Sequence, residues 1–389
     1  MATNTFKFGN GNWAVKDGSV LAYNDENNNF KPLPFDFTRD SIATRVNSEG
    51  LIEVVLNNIP RIDFTDNTDG HLLLEPSRKN DLTYSEFTNA DPVGWTLGFG
   101  TGTYDYDLVS YRGRGALKQT QTTTGRSYQY QNVTLLASTT YTLSMYVDIS
   151  NSDVTNLGED IMHVIADDET GDNTVEWQDI DTNTGRVSIT FTTGSDTSVQ
   201  IRIGLGVTGN TLASNQVLIY SMPQLEAGSY ATSYIPTEGA SVPRAVEYAN
   251  DAGNSQVFNN DTGVWFIDLE RIGLESGRAM MLANASGSEQ IRIHFDTTAQ
   301  IRFRDAKASF ATIGSNISMD LGTRKKVALK IDGTTLKVFA GGSQIGSNYT
   351  RPTAFDIHSM YAAEDAFKLF DARFYNTALT DTELQKLTS

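Results

Sequence analysis

The chain has 389 residues, a formal net charge of −17 and no cysteine. This length allows two or three domains that each bury a core. The missing cysteines exclude disulfides and thiolate zinc sites, and the negative charge disfavours binding to nucleic-acid phosphates. No apolar run is long enough for a membrane span. The first residues, MATNTFKFGNGNW, lack the apolar core of a secretory signal, so none is expected.

Residues 1–88 are rich in Asn and mostly irregular, with one alternating stretch. RVNSEGLIEVVLNNIPRIDF predicts a β-hairpin that turns at residues 47–50. Arginines in and beside this stretch could bind nearby carboxylates through bidentate pairs. The residues concerned are Arg39, Arg45, Arg61, Glu53, Asp63 and Glu75. We interpret the segment either as a packing element that fixes inter-domain or inter-subunit geometry, or as a docking surface for another protein.

Residues 89–237 contain a series of short β-strands. Apolar and polar residues alternate in TTYTLSMYVDI, GRVSITFTT and SVQIRIGLGV. Turn signals such as TNTG and TGSD separate these runs. The pattern predicts an antiparallel sandwich or jelly roll.

Three aromatic residues of this region are candidates for binding sugar. Tyr104 and Tyr106 are two residues apart, so they share one face of a predicted strand, and Trp177 lies in an acidic stretch. An aromatic ring can stack on the apolar face of a pyranose while polar side chains bind its hydroxyls. The alternative is that these rings pack in the core, which is the role predicted for Trp95.

Motifs for metals, nucleotides and catalysis are weak. Residues 148–181 are acidic and contain no Lys or Arg, which suits either a solvated face or a structural calcium ion with unassigned ligands. The run from Asp179 to Gly185 is interpreted as a turn. GLGVTG at residues 204–209 is followed by a strand, so a nucleotide site is not predicted. No motif selects a pair of catalytic carboxylates, and no enzymatic activity is expected.

Residues 238–389 are predicted to fold as an independent domain. A linker-like piece, TEGASVPRAVEYANDAGNSQ, precedes the alternating runs GVWFIDLE, QIRIHFD, AQIRFRD, KKVALKID and TLKVFAGG. At the end, Thr380 and Glu383 predict the capping box of a short helix that presents Leu384 and Leu387.

Several of these stretches resemble bacteriophage proteins. The block from Trp95 to Thr237, with STTYTLSMYVDIS, TGRVSITFTTG and YSMPQLEAGSYATSYIPTEGASVPRA, resembles jelly-roll carbohydrate-binding modules of phage fibre and receptor-binding proteins. The stretch that begins FDFTRDSIATRV resembles the block before such modules in virion proteins of Bacteroidetes phages. The part from GVWFIDLE to FKLFDARFYNTALTDTELQKL resembles laminin-G or concanavalin-A-like lectin domains.

The resemblance implies an all-β protein: an irregular β-containing N-terminal segment (1–88), a jelly-roll β-sandwich (89–237) and a concanavalin-A-like β-sandwich (238–389). It implies a structural virion protein, in a head or tail fibre or decoration, that is made in the host cytoplasm and attaches to bacterial or mucosal surface glycans. Expected partners are other virion proteins and copies of itself, such as a trimer, without nucleic acid or membrane insertion. The alternatives are a structural subunit that binds no glycan and a polysaccharide-degrading enzyme.

Overall fold

The computed structural model describes residues 6–24, 28–98, 104–156, 158–165, 170–171, 174–195, 197–208, 213–259, 261–273, 276–306, 311–363 and 365–389. Contacts divide the chain into two compact units. The composite unit comprises residues 1–48, 54–77 and 245–389, and the middle unit comprises residues 49–53 and 78–244. This division differs from the predicted segments 1–88, 89–237 and 238–389, because the N-terminal segment shares a unit with the C-terminal strands.

Short strands make up nearly all of the regular structure, and they are numbered in chain order. The first group is β1 (Phe6–Gly9), β2 (Val15–Lys16), β3 (Ser19–Asn24), β4 (Asn29–Thr38), β5 (Ala43–Val46), β6 (Ile52–Val55), β7 (Ile62–Asp63) and β8 (His71–Leu74). The second group is β9 (Arg78–Asn80), β10 (Thr96–Gly98), β11 (Tyr104–Tyr111), β12 (Arg114–Gln121), β13 (Ser127–Thr134), β14 (Thr140–Val147), β15 (Asp160–Ile165), β16 (Thr170–Gly171), β17 (Thr174–Glu176), β18 (Arg186–Thr192), β19 (Ser198–Leu205), β20 (Val217–Ala227) and β21 (Val242–Arg244). The third group is β22 (Tyr248–Ala252), β23 (Thr262–Arg271), β24 (Gly277–Ala283), β25 (Gln290–Phe295), β26 (Gln300–Asp305), β27 (Ala311–Ser318), β28 (Arg324–Asp332), β29 (Thr335–Ala340), β30 (Ser343–Gln344), β31 (Tyr349–Thr350), β32 (Ser359–Ala363) and β33 (Phe367–Tyr375). A 3-10 turn spans Trp177–Asp179, and the helix α1 spans Asp381–Thr388.

The composite unit is a sandwich built from both parts of the chain. One layer runs β27-β26-β25-β24-β32-β22-β4, and the other contains β33, β23, β28 and β29. Strands β3 and β1 join the layers, since β3 pairs with β4 and β1 pairs with β3 and β33. The layers face one another across a shared core, where the rings of Trp265 and Phe303 lie 5.9 Å apart. The N-terminal strands therefore complete this sandwich.

The helix α1 covers the outer face of the second layer. Its capping box is confirmed: the Glu383 amide donates to Thr380 Oγ1, and the Thr380 amide donates to Glu383 Oε2. Leu384 is buried in a small apolar cluster with Phe266 and Phe339, whose side chains point away from the main core. None of the described helices is long and apolar enough to cross a membrane.

The middle unit is a second sandwich. Its layers run β10-β13-β19-β15-β17 and β11-β12-β20-β14-β18-β16. Apolar residues that alternate along these strands form one core between the layers, with Trp95 among them as predicted. Together the two units confirm the predicted all-β class with two sandwiches.

The N-terminal arginines form a buried charge cluster within the composite unit. The hairpin of β5 and β6 forms as predicted. Arg61 Nη2 lies 2.8 Å from Glu75 Oε2, which is one of the pairs expected from the sequence. Both Arg39 and Arg61 also bind Glu247, at 2.8 Å from Arg39 Nη1 to Glu247 Oε1 and at 2.8 Å from Arg61 Nε to the same oxygen. This segment thus has an internal structural role.

Charge balance in this cluster depends on its carboxylates. The side chains of Arg39, Arg61 and Glu247 have no exposed surface. Burial disfavours the charged form of Arg61, but Glu247 and Glu75 more than offset it and raise the pKa of that guanidinium above its usual value. Arg39 additionally donates to the Leu56 carbonyl at 2.7 Å. Arg39 and Arg61 thereby fix the chain around β5 and β6.

His71 on β8 is a second buried ionisable group of the composite unit. Its Nε2 lies 3.6 Å from Asp63 Oδ1, and its ring centroid lies 5.2 Å from that of Phe370. Burial lowers the pKa of His71 to about 4, although the Asp63 carboxylate opposes the shift and nearby cations add to it. The imidazole is therefore neutral in the folded protein at pH 7.

We expect His71 to reduce stability on acidification. The unfolded imidazole takes up a proton as the pH falls through about 6.5, whereas the folded one takes it up only near pH 4. Between pH 7 and 4 the free energy of unfolding should fall by roughly 2–3 kcal/mol from this residue. Urea unfolding of the wild type and His71→Leu across this range isolates the effect. A difference between the two proteins that does not change with pH would contradict it.

Candidate functional site

The structure places two of the three predicted sugar-binding aromatics against the core of the middle unit. Tyr106 lies on the edge strand β11 and packs, half-buried, on that core. Trp177 opens the 3-10 turn after β17 and packs on the same core. Tyr104 is the first residue of β11, and its side chain lies outside the described part of the structure.

Tyr106 and Trp177 do not come together. Strand β11 is one edge of its layer, whereas β17 is an edge of the other layer. β17 packs near β18, which is four strands away from β11 in the layer order. A single site that contains both rings is therefore not formed.

The acidic stretch of the middle unit forms no recognisable metal centre in its described residues. Across the described chain, no three His, Asp or Glu side chains lie close enough together to hold an ion. Asp181 instead closes a turn: it accepts from the Asn183 amide at 3.0 Å and from Thr184 Oγ1 at 2.7 Å. These hydrogen bonds lower the pKa of Asp181. The structural calcium ion stays a prediction.

A cleft on the composite unit combines the side chains that a sugar site needs. It has a volume of about 200 Å³ and lies on the outer face of β22, β24 and β32. Its lining includes two half-buried tyrosines, an amide, a guanidinium and a thioether: Tyr248, Tyr361, Asn250, Arg278 and Met281. Aromatic surface beside hydrogen-bonding groups suits a ring that has apolar and polar faces.

Strand register explains why these residues meet. Met281 on β24 lies directly opposite Tyr361 on β32, and Tyr248 on β22 lies opposite Ala363 on β32. The neighbouring residues Met280 and Ala362 point inwards and belong to the core. Alternation along three adjacent strands thus presents one set of side chains to the core and the other set to the cleft.

Hydrogen bonds fix the orientation of Tyr361. Its hydroxyl donates to Asp251 Oδ1 and accepts from Ser359 Oγ at 3.0 Å. Burial raises the pKa of the phenol, and the bond to Asp251 adds to that shift. The ring is therefore held as a neutral, oriented surface in the cleft.

A second, smaller cavity of about 120 Å³ lies in the middle unit beside Tyr84 and Glu86. The Glu86 carboxylate is bound by Arg114 and accepts from the Tyr234 hydroxyl at 2.6 Å. Because this carboxylate holds two other side chains, it is committed to packing.

The cleft was not predicted from the sequence. Tyr248 lies in the piece interpreted as a linker, and Tyr361 lies on a strand, β32, whose neighbours cannot be assigned from the sequence alone. The alternation in QIRIHFD and AQIRFRD does mark outward-facing polar residues. It could have indicated a functional face, but not the tyrosines beside it.

No protein-family model matches the chain, and neither does any curated protein. Among solved structures, the chain is similar to domain 4 of AbnA, a GH43 extracellular arabinanase from Geobacillus stearothermophilus solved with arabinotriose, with 14 % identity, 41 % of this chain and 82 % of that chain covered, and a TM-score of 0.32. A SAP-like pentraxin from Limulus polyphemus is 12 % identical, and the match covers 33 % of this chain and 70 % of the pentraxin chain with a TM-score of 0.27. Trypanosoma rangeli sialidase is 10 % identical, and the match covers 95 % of this chain and 65 % of the sialidase chain with a TM-score of 0.30. Because these TM-scores lie below 0.5, no conclusion about function follows from the likenesses.

Proposed function

We propose that the protein is a structural virion protein of a bacteriophage that attaches the particle to bacterial or mucosal surface glycans. The observation that carries glycan binding is the cleft that contains Tyr248 and Tyr361 beside Asn250 and Arg278. The rings offer stacking surface, and the amide and guanidinium offer donors to sugar hydroxyls. The virion context is supported by the sequence resemblance to phage fibre modules.

A low glycan affinity of each single site fits attachment by a particle that carries many copies. Two stacking rings contribute roughly 1–3 kcal/mol by analogy with aromatic pairs, so we expect a dissociation constant in the micromolar-to-millimolar range. Many copies on one particle raise the avidity by about 10²-fold or more without new contacts. The proposal accordingly includes a homo-oligomer, such as a trimer, assembled with other virion proteins after synthesis in the host cytoplasm.

Replacing both cleft tyrosines should weaken glycan binding. Beads that display the protein at high density are applied to an array of bacterial surface and mucin glycans. We expect Tyr248→Ala with Tyr361→Ala to reduce retention about tenfold or more, which corresponds to about 1.4 kcal/mol. Tyr349→Ala is the matched control, because it removes another half-buried tyrosine of the same unit outside the cleft.

The same assay distinguishes the alternatives. Normal retention of the double variant would exclude the cleft as the site. If no glycan retains the wild type, the protein is a structural subunit without glycan binding. Release of reducing ends from a retained polysaccharide would instead indicate the enzyme.

The glycan site predicted at Tyr104, Tyr106 and Trp177 can be tested separately. Since Tyr106 packs on the core, we expect Tyr106→Ala to lower the free energy of unfolding by roughly 1–3 kcal/mol. Thermal unfolding and bead retention are measured on the same samples. Unchanged stability together with reduced retention would contradict the packing role and assign the ring to a ligand.

A further inference from the structure

We infer that Met281 is a modification site, at which a peroxide oxidises the thioether to a sulfoxide and thereby weakens glycan binding in the cleft. The oxidation itself depends only on the exposure and the chemistry of this side chain. Its effect on binding rests on the proposed function, because Met281 lines the same cleft as Tyr361 and Arg278.

Met281 alone among the methionines of the described residues has appreciable exposed surface. The sequence contains eight methionines and no cysteine. Met281 is half-buried, and Met1 lies outside the described residues. The other six methionines are at most 1 % exposed, namely Met145, Met162, Met222, Met280, Met319 and Met360. A dissolved oxidant therefore reaches Met281 directly, whereas it reaches these six only when a sandwich opens.

Strand register explains this exposure. The neighbours of Met281 on β24, Met280 and Leu282, belong to the core, so Met281 points to the outer face of the layer. On that face it lies directly opposite Tyr361 on β32 and Arg292 on β25. Side chains in such positions have Cβ atoms about 4.5–5.5 Å apart. The thioether therefore lies between a tyrosine and an arginine.

Arg278 favours the oxidised form of this side chain. Its Nη1 donates to Met281 Sδ at 3.5 Å. A thioether sulfur is only a weak acceptor. The oxygen of a sulfoxide carries a partial negative charge, and hydrogen bonds from an ionised donor are stronger than those between neutral groups. The guanidinium therefore stabilises the sulfoxide more than the thioether.

The oxidation needs a two-electron oxidant, of which hydrogen peroxide is the simplest. A lone pair of Met281 Sδ attacks one peroxide oxygen, so that an S–O bond forms and the O–O bond breaks. The other oxygen leaves as hydroxide, which takes the proton of the transferred hydroxyl and becomes water. Sulfur is thus oxidised and the peroxide is reduced. Methionine sulfoxide reductases reverse the change.

The sulfoxide changes two properties of the cleft on which glycan binding depends. It replaces an apolar contact surface beside Tyr248 and Tyr361 with a polar, chiral group, which suits the apolar face of a sugar less well. It also engages Arg278 more strongly, which withdraws a donor from the sugar hydroxyls. Both effects lower the affinity for glycan, and neither requires the sandwich to unfold.

Peptide mass spectrometry tests the modification. The folded wild type is treated with dilute hydrogen peroxide, and samples are digested at successive times. We expect Met281 to gain one oxygen atom at least about tenfold faster than any of the six buried methionines, because those react only from opened states. Equal rates at Met281 and at the buried methionines would overturn the inference.

Retention of bead-displayed protein on the glycan array measures the consequence. Oxidation of Met281 should lower retention about threefold or more, and a methionine sulfoxide reductase should restore it. Met281→Leu keeps an apolar side chain of similar volume but forms no sulfoxide, so peroxide should not change its own retention. Met319→Leu is the matched control: it removes a buried methionine of the same unit and should lose retention on treatment, as the wild type does.

Urea unfolding separates this effect from general oxidative damage. Because Met281 lies on the outer face, the unfolding midpoint of the oxidised protein should stay close to that of the untreated protein. A loss of retention that appears only together with a lower midpoint would overturn the inference. Unchanged retention after oxidation of Met281 would overturn it as well, while leaving the proposed function intact. If no glycan retains the untreated protein, the proposed function fails and the effect on binding fails with it, whereas the mass spectra still decide whether Met281 is the modification site.

Discussion

Glu247→Gln is expected to lower the free energy of unfolding by about 3–5 kcal/mol. The substitution removes the negative charge that Arg39 and Arg61 share, while all three side chains remain buried. Breaking a buried ion pair by neutralising one partner leaves an uncompensated charge in a low-dielectric interior. The loss is large against the 5–15 kcal/mol that stabilises a typical domain.

Urea unfolding at neutral pH measures this effect. Asp107→Asn is the matched control, because Asp107 belongs to an exposed ion pair, 3.9 Å from Lys118 Nζ. Surface pairs contribute about 0–1 kcal/mol, so this variant should behave almost as the wild type. If both substitutions changed stability equally, the buried cluster would not stabilise the composite unit as described.

A fragment of residues 245–389 is expected not to fold on its own. It lacks β1, β4 and β8, which pair with its strands β33 and β22, and it lacks β3, which pairs with β1 and β4. It also lacks Phe6, Phe8, Phe35 and Phe37, which are at most 4 % exposed in the core. Burying four such side chains contributes roughly 6–12 kcal/mol, an amount similar to the whole stability of a domain. This expectation replaces the sequence-based one of an independent domain at residues 238–389.

Calorimetry and size-exclusion chromatography of three samples test this. The fragment alone should aggregate or melt without a cooperative transition, whereas co-expression with residues 1–77 should restore one. A second fragment, residues 78–244, is the control, because it contains the strands and the core of the middle-unit sandwich. Cooperative unfolding of isolated 245–389 would refute the composite sandwich.

Local features of the fold could be predicted from the sequence, and distant partnerships could not. The hairpin at residues 43–55 and the Thr380 capping box are set by alternation and by contacts within a few residues. Glu247 lies about 200 positions after Arg39, in a stretch without periodicity, so no local signal connects the two. For the same reason, the sequence does not predict that β1–β4 share a sandwich with the C-terminal strands.

The candidate site shows a similar limit. The sequence predicts a sugar site at Tyr104, Tyr106 and Trp177 because these aromatic residues lie among polar ones. Aromatic rings that pack at the edge of a core can have the same polar neighbours in sequence, and Tyr106 and Trp177 pack in this way. Tyr248, Tyr361 and Arg278 come to line one cleft only through the strand order β22-β32-β24. Strand order depends on pairing energies across the whole layer, and a single sequence does not reveal it.

The composite sandwich also has a consequence for folding during translation. The ribosome makes β1–β8 first, but their partners β22–β33 follow only after the complete middle unit. At roughly 5–20 residues per second, these apolar strands wait on the order of ten seconds or more for their partners. During that interval the middle unit can finish folding, while Phe6, Phe8 and Phe35 remain available to chaperones or to other nascent copies. Slower elongation should therefore increase aggregation of the newly made chain, and chaperone supply should limit its yield.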